Sequence, residues 1–299
     1  MPDPVAVTRE TLAALARNTA SFIQHHERPD PAEGSVVGDE LADVSRPELL
    51  LPARLIAGLL VESGWEHLSA FVRTTAEPVE TIACLTCVRS LLEPCALAVW
   101  LLDPEIDAQE RTARVFAVRY EGMVQQAKWG RALGGMDERA LSDRTDVVEQ
   151  DALDLGYAAV RNNSGKRIGI AQIMPSATEL IRTELGEEAV YRLLSAVSHG
   201  HSWAIRELAY APTSEARVST TVSGECVWAF EKNVNVDLLA YLGLIAATAC
   251  SRGVWNQCLY EGWDRAGLVK LLEETFDRLH APETARFWRD VPTKLGPLS

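Results

Sequence analysis

The 299-residue chain carries 29 basic and 42 acidic side chains, a net charge of -13, and 47% of it is apolar. That balance excludes a broad basic face for duplex nucleic acid, while the length and apolar share suit a globular protein with a sizeable core. The six cysteines lie mostly in apolar helical text, where a free thiol behaves as a small hydrophobe. Residues 1–10 lack the apolar run of a secretory leader, so a reduced, cytoplasmic protein without disulfides is expected.

The first helix is predicted over 9–26, with Leu12, Leu15, Ala16, Thr19 and Ile23 at helical spacing and Thr8 as N-cap. Residues 28–45, rich in acids, prolines and glycines, read as a loop. Ser45-Arg46-Pro47-Glu48 has the form of a capping box. Beyond Pro52 a long apolar helix runs to about Val72. Gly58 and Gly64 stand inside it. They either admit a close neighbour or are simply tolerated, each at about 1 kcal/mol against alanine.

Residues 81–102, TIACLTCVRSLLEPCALAVWLL, are apolar on every side of a helical wheel, and Arg89 and Glu93 are their only charges. A helix of that kind is a membrane span or the middle of a core. The charged pair and Pro94 at its centre favour the core, and no membrane is expected. Arg89 and Glu93 stand four residues apart on one face, which Trp100 extends. In apolar surroundings they must pair or face a cavity.

Asp103-Pro104-Glu105 is read as the start of the next helix, which continues to Gly134 with Arg111, Arg114 and Arg119 on its exposed side. A charged helix is expected over 137–161, then a loop over 162–169. That loop's Ser-Gly-Lys is not a phosphate loop: Val160 replaces the first glycine and Arg167 follows the lysine. Ser176-Ala177-Thr178-Glu179 is a second capping box, opening a short helix that Gly186 ends.

One helix is predicted over 187–208. It puts Arg192, Ser195, His199, Trp203 and Arg206 on a single face and turns His201 away from His199. Alternation near 216–230 suggests a short β-hairpin or, instead, an extended loop. Helices follow over 233–261, with a small-residue patch at 246–250, then over 264–280 and 282–290, before a tail at 292–299. The expected fold is a single all-α domain over 1–299, a bundle of eight to ten helices with its core in 46–291.

Familiar catalytic signatures are missing from the sequence. It has no His-Glu-x-x-His, no Glu-x-x-His pair for a di-iron bundle, no Gly-x-Ser-x-Gly and no dinucleotide fingerprint. Cys84-x2-Cys87 lies inside an apolar helix with no second pair, so no metal or cofactor is expected. A histidine can act as general acid or base near neutral pH, and an arginine can hold a phosphate. His199 and Arg192 are therefore the candidate catalytic residues. Arg89, Glu93, Ser195, Trp100 and Trp203 are the candidate substrate-binding residues, provided the two polar faces meet.

Arg192-x6-His199 matches the Arg-x(4–6)-His motif of HEPN-type helical proteins. The pairing of RSLLE (Arg89 to Glu93) with LSAVSHG (Leu194 to Gly200) resembles a group of bacterial helical-bundle proteins distantly similar to them. The resemblance implies a metal-independent ribonuclease or a degenerate relative, often dimeric. Arg192 would bind phosphate and His199 would help move a proton during attack by a ribose 2′-hydroxyl. Leu193 departs from the polar residue that usually follows the motif's arginine. The expected partners are thus RNA or a small molecule, with a homodimer implied by the resemblance. Two further readings stand beside it. One is a small-molecule-binding protein or cofactor-free biosynthetic enzyme. The other is a non-catalytic interaction protein in which the polar sets fix helix register.

Overall fold

The computed structural model describes residues 4–26, 30–43, 51–134, 138–212, 219–220, 226–227, 230–232 and 235–279. It is an all-α bundle. The helices are α1 (Pro4–His26), α2 (Val36–Asp43), α3 (Leu51–Thr74), α4 (Thr81–Leu101), α5 (Ala108–Ala132), α6 (Glu138–Asp154), α7 (Ala177–Leu180), α8 (Glu188–Ser198), α9 (Ser202–Ala209), α10 (Val236–Glu261) and α11 (Ala266–Leu279). The strands are β1 (Ala159–Arg161), β2 (Arg167–Ile170), β3 (Tyr210–Pro212), β4 (Ser219–Thr220), β5 (Cys226–Val227) and β6 (Phe230–Lys232). They pair antiparallel as β1–β2, β3–β6 and β4–β5. The last two ladders supply the hairpin expected near 216–230.

Helix α4 is the axis of the bundle and packs against α3, α10 and α8. Its all-round apolar surface follows from having neighbours on several sides. By length and composition, both α4 and α10 could cross a membrane, with mean hydropathies of 1.7 and 1.4. Here they pack on each other within the main core. Small residues let α3 approach α4 and α10 closely. A Cβ built on Gly64 of α3 would lie 2.6 Å from Cys95 Sγ of α4 and 3.7 Å from Cys250 Sγ of α10. Gly64 is therefore required for a close approach. The patch at 246–250 faces the same core, with Ala246, Ala247, Ala249 and Cys250 all buried.

Local chemistry explains several boundaries. Ser176 Oγ accepts from the Glu179 amide and starts α7. That helix passes into a π turn, Ile181–Leu185, which ends at Gly186 with φ 77°. Asn235 caps α10 by accepting from the Leu238 amide, and Gly262, at φ 67°, closes its far end.

Other boundaries differ from the sequence expectation. Helix α1 begins at Pro4, so Thr8 lies inside it and is not its cap. The segment read as a loop over 28–45 contains α2. Helix α5 starts at Ala108, capped by Asp107, because Asp103 turns the chain one step earlier by accepting from the Glu105 amide. The helix expected over 137–161 ends at Asp154, and the following residues form the β1–β2 hairpin around the 162–166 turn. The capping box at 45–48 and the helix and tail beyond 280 lie outside the described residues.

The exposed arginine face expected on α5 is also corrected. Arg111 is fully buried. Its Nε donates to both Glu40 carboxylate oxygens, at 3.0 and 3.1 Å, and its Nη atoms donate to the carbonyls of Leu101, Asp103 and Ile106. Its guanidinium lies 4.6 Å from the centre of the Tyr260 ring. One side chain thus ties α2, the end of α4, the α4–α5 connection and α10 together.

Candidate functional site

The two polar faces singled out from the sequence meet in part. Arg89 pairs with Glu93 at 2.7 Å along α4. Across the interface, the Tyr191 hydroxyl of α8 donates to Glu93 Oε1 at 2.6 Å, and Arg89 Nε donates to Ser195 Oγ at 3.4 Å. The Arg89 guanidinium lies 5.6 Å from the Tyr191 ring centre. Burial, and then the adjacent Glu93 carboxylate, push the Tyr191 phenol above its ordinary value, so it keeps the proton it donates. This cluster is a closed set of partners at the α4–α8 contact. With Arg89 and Glu93 side chains 23% and 37% exposed, the pair itself contributes about 0.3–0.5 kcal/mol.

The remaining candidates lie elsewhere. The helix expected over 187–208 breaks: α8 stops at Ser198, His199 is its C-cap, Gly200 turns at φ 75° and α9 starts at Ser202. Trp203 and Arg206 therefore belong to a different helix from Arg192, Ser195 and His199. Arg192 points to solvent, 65% exposed, with its Nε on Glu188 at 2.8 Å. His199 is exposed, seven residues on and about 10 Å along the helix axis. Trp203 is 54% exposed. Trp100 is buried near the far end of α4, where the Arg114 guanidinium covers its ring at 4.8 Å. The break also voids the helical-wheel separation of His199 from His201. Among the described residues, no three His, Cys, Asp or Glu side chains converge as a metal site.

A cleft that the sequence reading passed over lies between α1, α3 and α10, with a volume of about 590 Å³. This is within the usual range for small-molecule sites, roughly 300–1,000 Å³. Helix α3 provides most of its wall, from Leu51 to Trp65; Ile23 of α1 and Trp263 complete the apolar lining. Leu51, Leu55 and Leu59 recur every four residues and are 45%, 66% and 57% exposed, so they form an apolar rim. Gly58 lies in the same wall, and a Cβ there would meet only Gln257 Nε2, at an ordinary 3.9 Å.

The polar groups of this cleft are few. Arg54 Nε donates to both Glu261 carboxylate oxygens, at 2.7 and 2.8 Å, with Glu261 buried. Trp65 Nε1 and Gln257 Oε1, on residues more than nine-tenths buried, have no hydrogen-bond partner among the described residues. An orphaned buried donor or acceptor costs about 1–3 kcal/mol. No serine, cysteine or histidine is among the described lining residues, whose carboxylates are Glu62 and Glu261.

Some signs of this cleft were present in the sequence. Gly58 was conspicuous, and Gln257 and Glu261 interrupt an apolar helix four residues apart. The Arg54–Glu261 partnership spans 207 positions, and no local pattern reveals it. None of Arg89, Glu93, Trp100, Arg192, Ser195, His199 or Trp203 lines this cleft. No protein-family model, curated protein or solved structure matches the chain.

Proposed function

We propose that the protein binds a small, largely apolar molecule bearing an uncharged hydrogen-bonding group, in the cleft between α1, α3 and α10. The observation that carries this reading is an apolar cleft lined by Trp65 and Gln257, two residues whose indole Nε1–H and carbonyl Oε1, covered just beneath its surface, have no hydrogen-bond partner among the described residues. The Arg54 guanidinium and Glu261 carboxylate already neutralise each other there, and the other charge in the lining is the exposed Glu62 carboxylate, so the site does not call for an anionic ligand. An amide or similar group supplies both an acceptor for the indole N–H and a donor for the Gln257 carbonyl. The Gln257 amide reaches it by turning about its last torsion, which is soft.

Nile red, a neutral apolar dye with a carbonyl, is a suitable probe. It is expected to bind at one saturable site and to lose at least about tenfold in affinity in Gly58→Leu, because the new side chain fills the cleft. Unchanged affinity in a folded Gly58→Leu protein would sink the reading.

Cleavage of RNA is the second reading. Its support is that Arg192 and His199 are both solvent-accessible on α8, with no cavity residue required. It expects metal-free cutting of single-stranded RNA that stops in His199→Ala. Cutting that persists in that variant, or none by the wild type, removes it.

A further inference from the structure

We infer that the protein has a second binding site, for a small phosphate ester, in the cleft between α5, α6 and the β1–β2 hairpin. This cleft has a volume of about 450 Å³. Lys128 and Arg131 of α5 line it together with Lys166 and Arg167 of the hairpin, and the hydroxyl residues Ser142 and Thr145 of α6 complete the polar set. Four cations from two separate elements thus converge in a chain whose net charge is -13. Such a concentration makes a local positive potential against an acidic background.

The neighbouring carboxylates cancel only part of it. Asp146 and Glu149 are both engaged with Arg167, and Glu149 also meets Arg161. Among the described residues, Lys128 and Lys166 have no carboxylate within ion-pair distance, and both are exposed. The Arg167 Nε–H is buried and has no acceptor among the described residues. One arginine is thus held in place by acids while two ammonium groups stay available.

The hairpin holds these groups in position. Asn162 Oδ1 accepts from the Ser164 amide, the Ser164 hydroxyl and the Lys166 amide, fixing the turn. The Tyr120 hydroxyl of α5 donates to the Arg167 carbonyl at 2.8 Å and pins the strand to the helix. Because Asn162 already occupies those two amides, the turn does not cradle a phosphate with its backbone as a phosphate loop does. The side-chain ammonium and guanidinium groups supply the contacts, as charge-assisted hydrogen bonds.

The rest of the lining selects the ligand's organic part. Met123, Val124 and Ala127 give one apolar wall, suited to the body of an ester more than to bare phosphate. The overall negative charge disfavours a long polyanion at a distance, so a compact anion is preferred over a nucleic acid strand.

The test is calorimetric titration of the full chain with phenyl phosphate, inorganic phosphate, phenol and an oligothymidylate. Phenyl phosphate is expected to bind more tightly than inorganic phosphate, phenol not to bind, and affinity to fall as sodium chloride is added. Lys128→Ala with Lys166→Ala is expected to weaken phenyl phosphate binding at least about tenfold, while Lys270→Ala and Gly58→Leu leave it unchanged. Two results overturn the proposal outright: no binding of phenyl phosphate at millimolar concentration, or equal binding by the double lysine variant. Tighter binding of the oligothymidylate through the same lysines overturns it in favour of a nucleic acid surface.

Discussion

Replacing Gly64 by alanine tests whether the bundle is held by close approach at the α3–α4–α10 crossing. On an isolated helix the change is favourable, by about 1 kcal/mol. In the bundle the added methyl would sit 2.6 Å from Cys95 Sγ, more than an ångström inside an ordinary contact. Cys95 is only 1% exposed and its neighbours Leu91, Leu92, Ala96 and Ala98 are 0% exposed, so the sulfur has nowhere to swing. Overpacking of that kind costs about 1–3 kcal/mol, which outweighs the propensity gain. A net loss of up to about 2 kcal/mol is expected in urea unfolding. Cys95→Ala alone should also destabilise, by leaving a small void. Combined with Gly64→Ala it should restore part of the loss, because the methyl occupies the space the sulfur vacates. The two changes are therefore non-additive, with a favourable coupling of about 1 kcal/mol or more. Stabilisation by Gly64→Ala, or strict additivity, would refute the claim that the helices touch at this glycine.

Arg111→Met leaves the Glu40 carboxylate buried without its cation and three carbonyls without a donor. It is expected to cost about 3–5 kcal/mol, and a loss under about 1 kcal/mol in urea unfolding would contradict the pinning role. Adding Glu40→Leu should recover much of that loss. The tie between α4 and α8 is weaker. Arg89→Met with Glu93→Leu is expected to lower stability by roughly 1 kcal/mol, chiefly because Tyr191 loses its acceptor, and to leave Nile red binding intact. For pH, burial pushes the Cys258 thiol from 9.0 up to about 11. The folded state therefore holds the proton while the unfolded chain releases it. Stability is intact below about pH 9 and declines towards pH 11, by about 2–3 kcal/mol for this group. Cys258→Ala should flatten that part of a pH–stability profile measured by thermal unfolding, and an unchanged slope would count against it.

How much of this was legible in the sequence depends on the range of the interaction. The α4 boundaries, the Ser176 cap, the Gly186 stop and the 246–250 patch follow from residues within a turn or two of one another. Local propensity and capping settle such features. The end of α8 was readable too: Gly200 after His199 is a left-handed stop signal, masked by the apolar periodicity that resumes in α9. Arg111 could not be placed from its own helix, because Glu40 lies 71 positions away and an amphipathic wheel assigns charges to solvent by default. Arg54 and Glu261 met the same obstacle. For Arg89 and Glu93 the sequence leaves two outcomes, pairing or facing a cavity; they pair, and Tyr191 and Ser195 close the cluster. The open cleft is lined by α1, α3 and α10 and by none of these residues.

The indole N–H resonances of the eight tryptophans give the most direct test of the central claim, followed in ¹⁵N-labelled protein during titration with Nile red. Binding in the α1–α3–α10 cleft gives the unpaired Trp65 Nε1–H an acceptor, so its resonance, assigned by Trp65→Phe, should move downfield to saturation. Trp263, in the same lining, should shift with it, while the exposed Trp129 and Trp203 stay fixed. Movement of Trp203 with a stationary Trp65 would place the ligand on α9 and contradict the account.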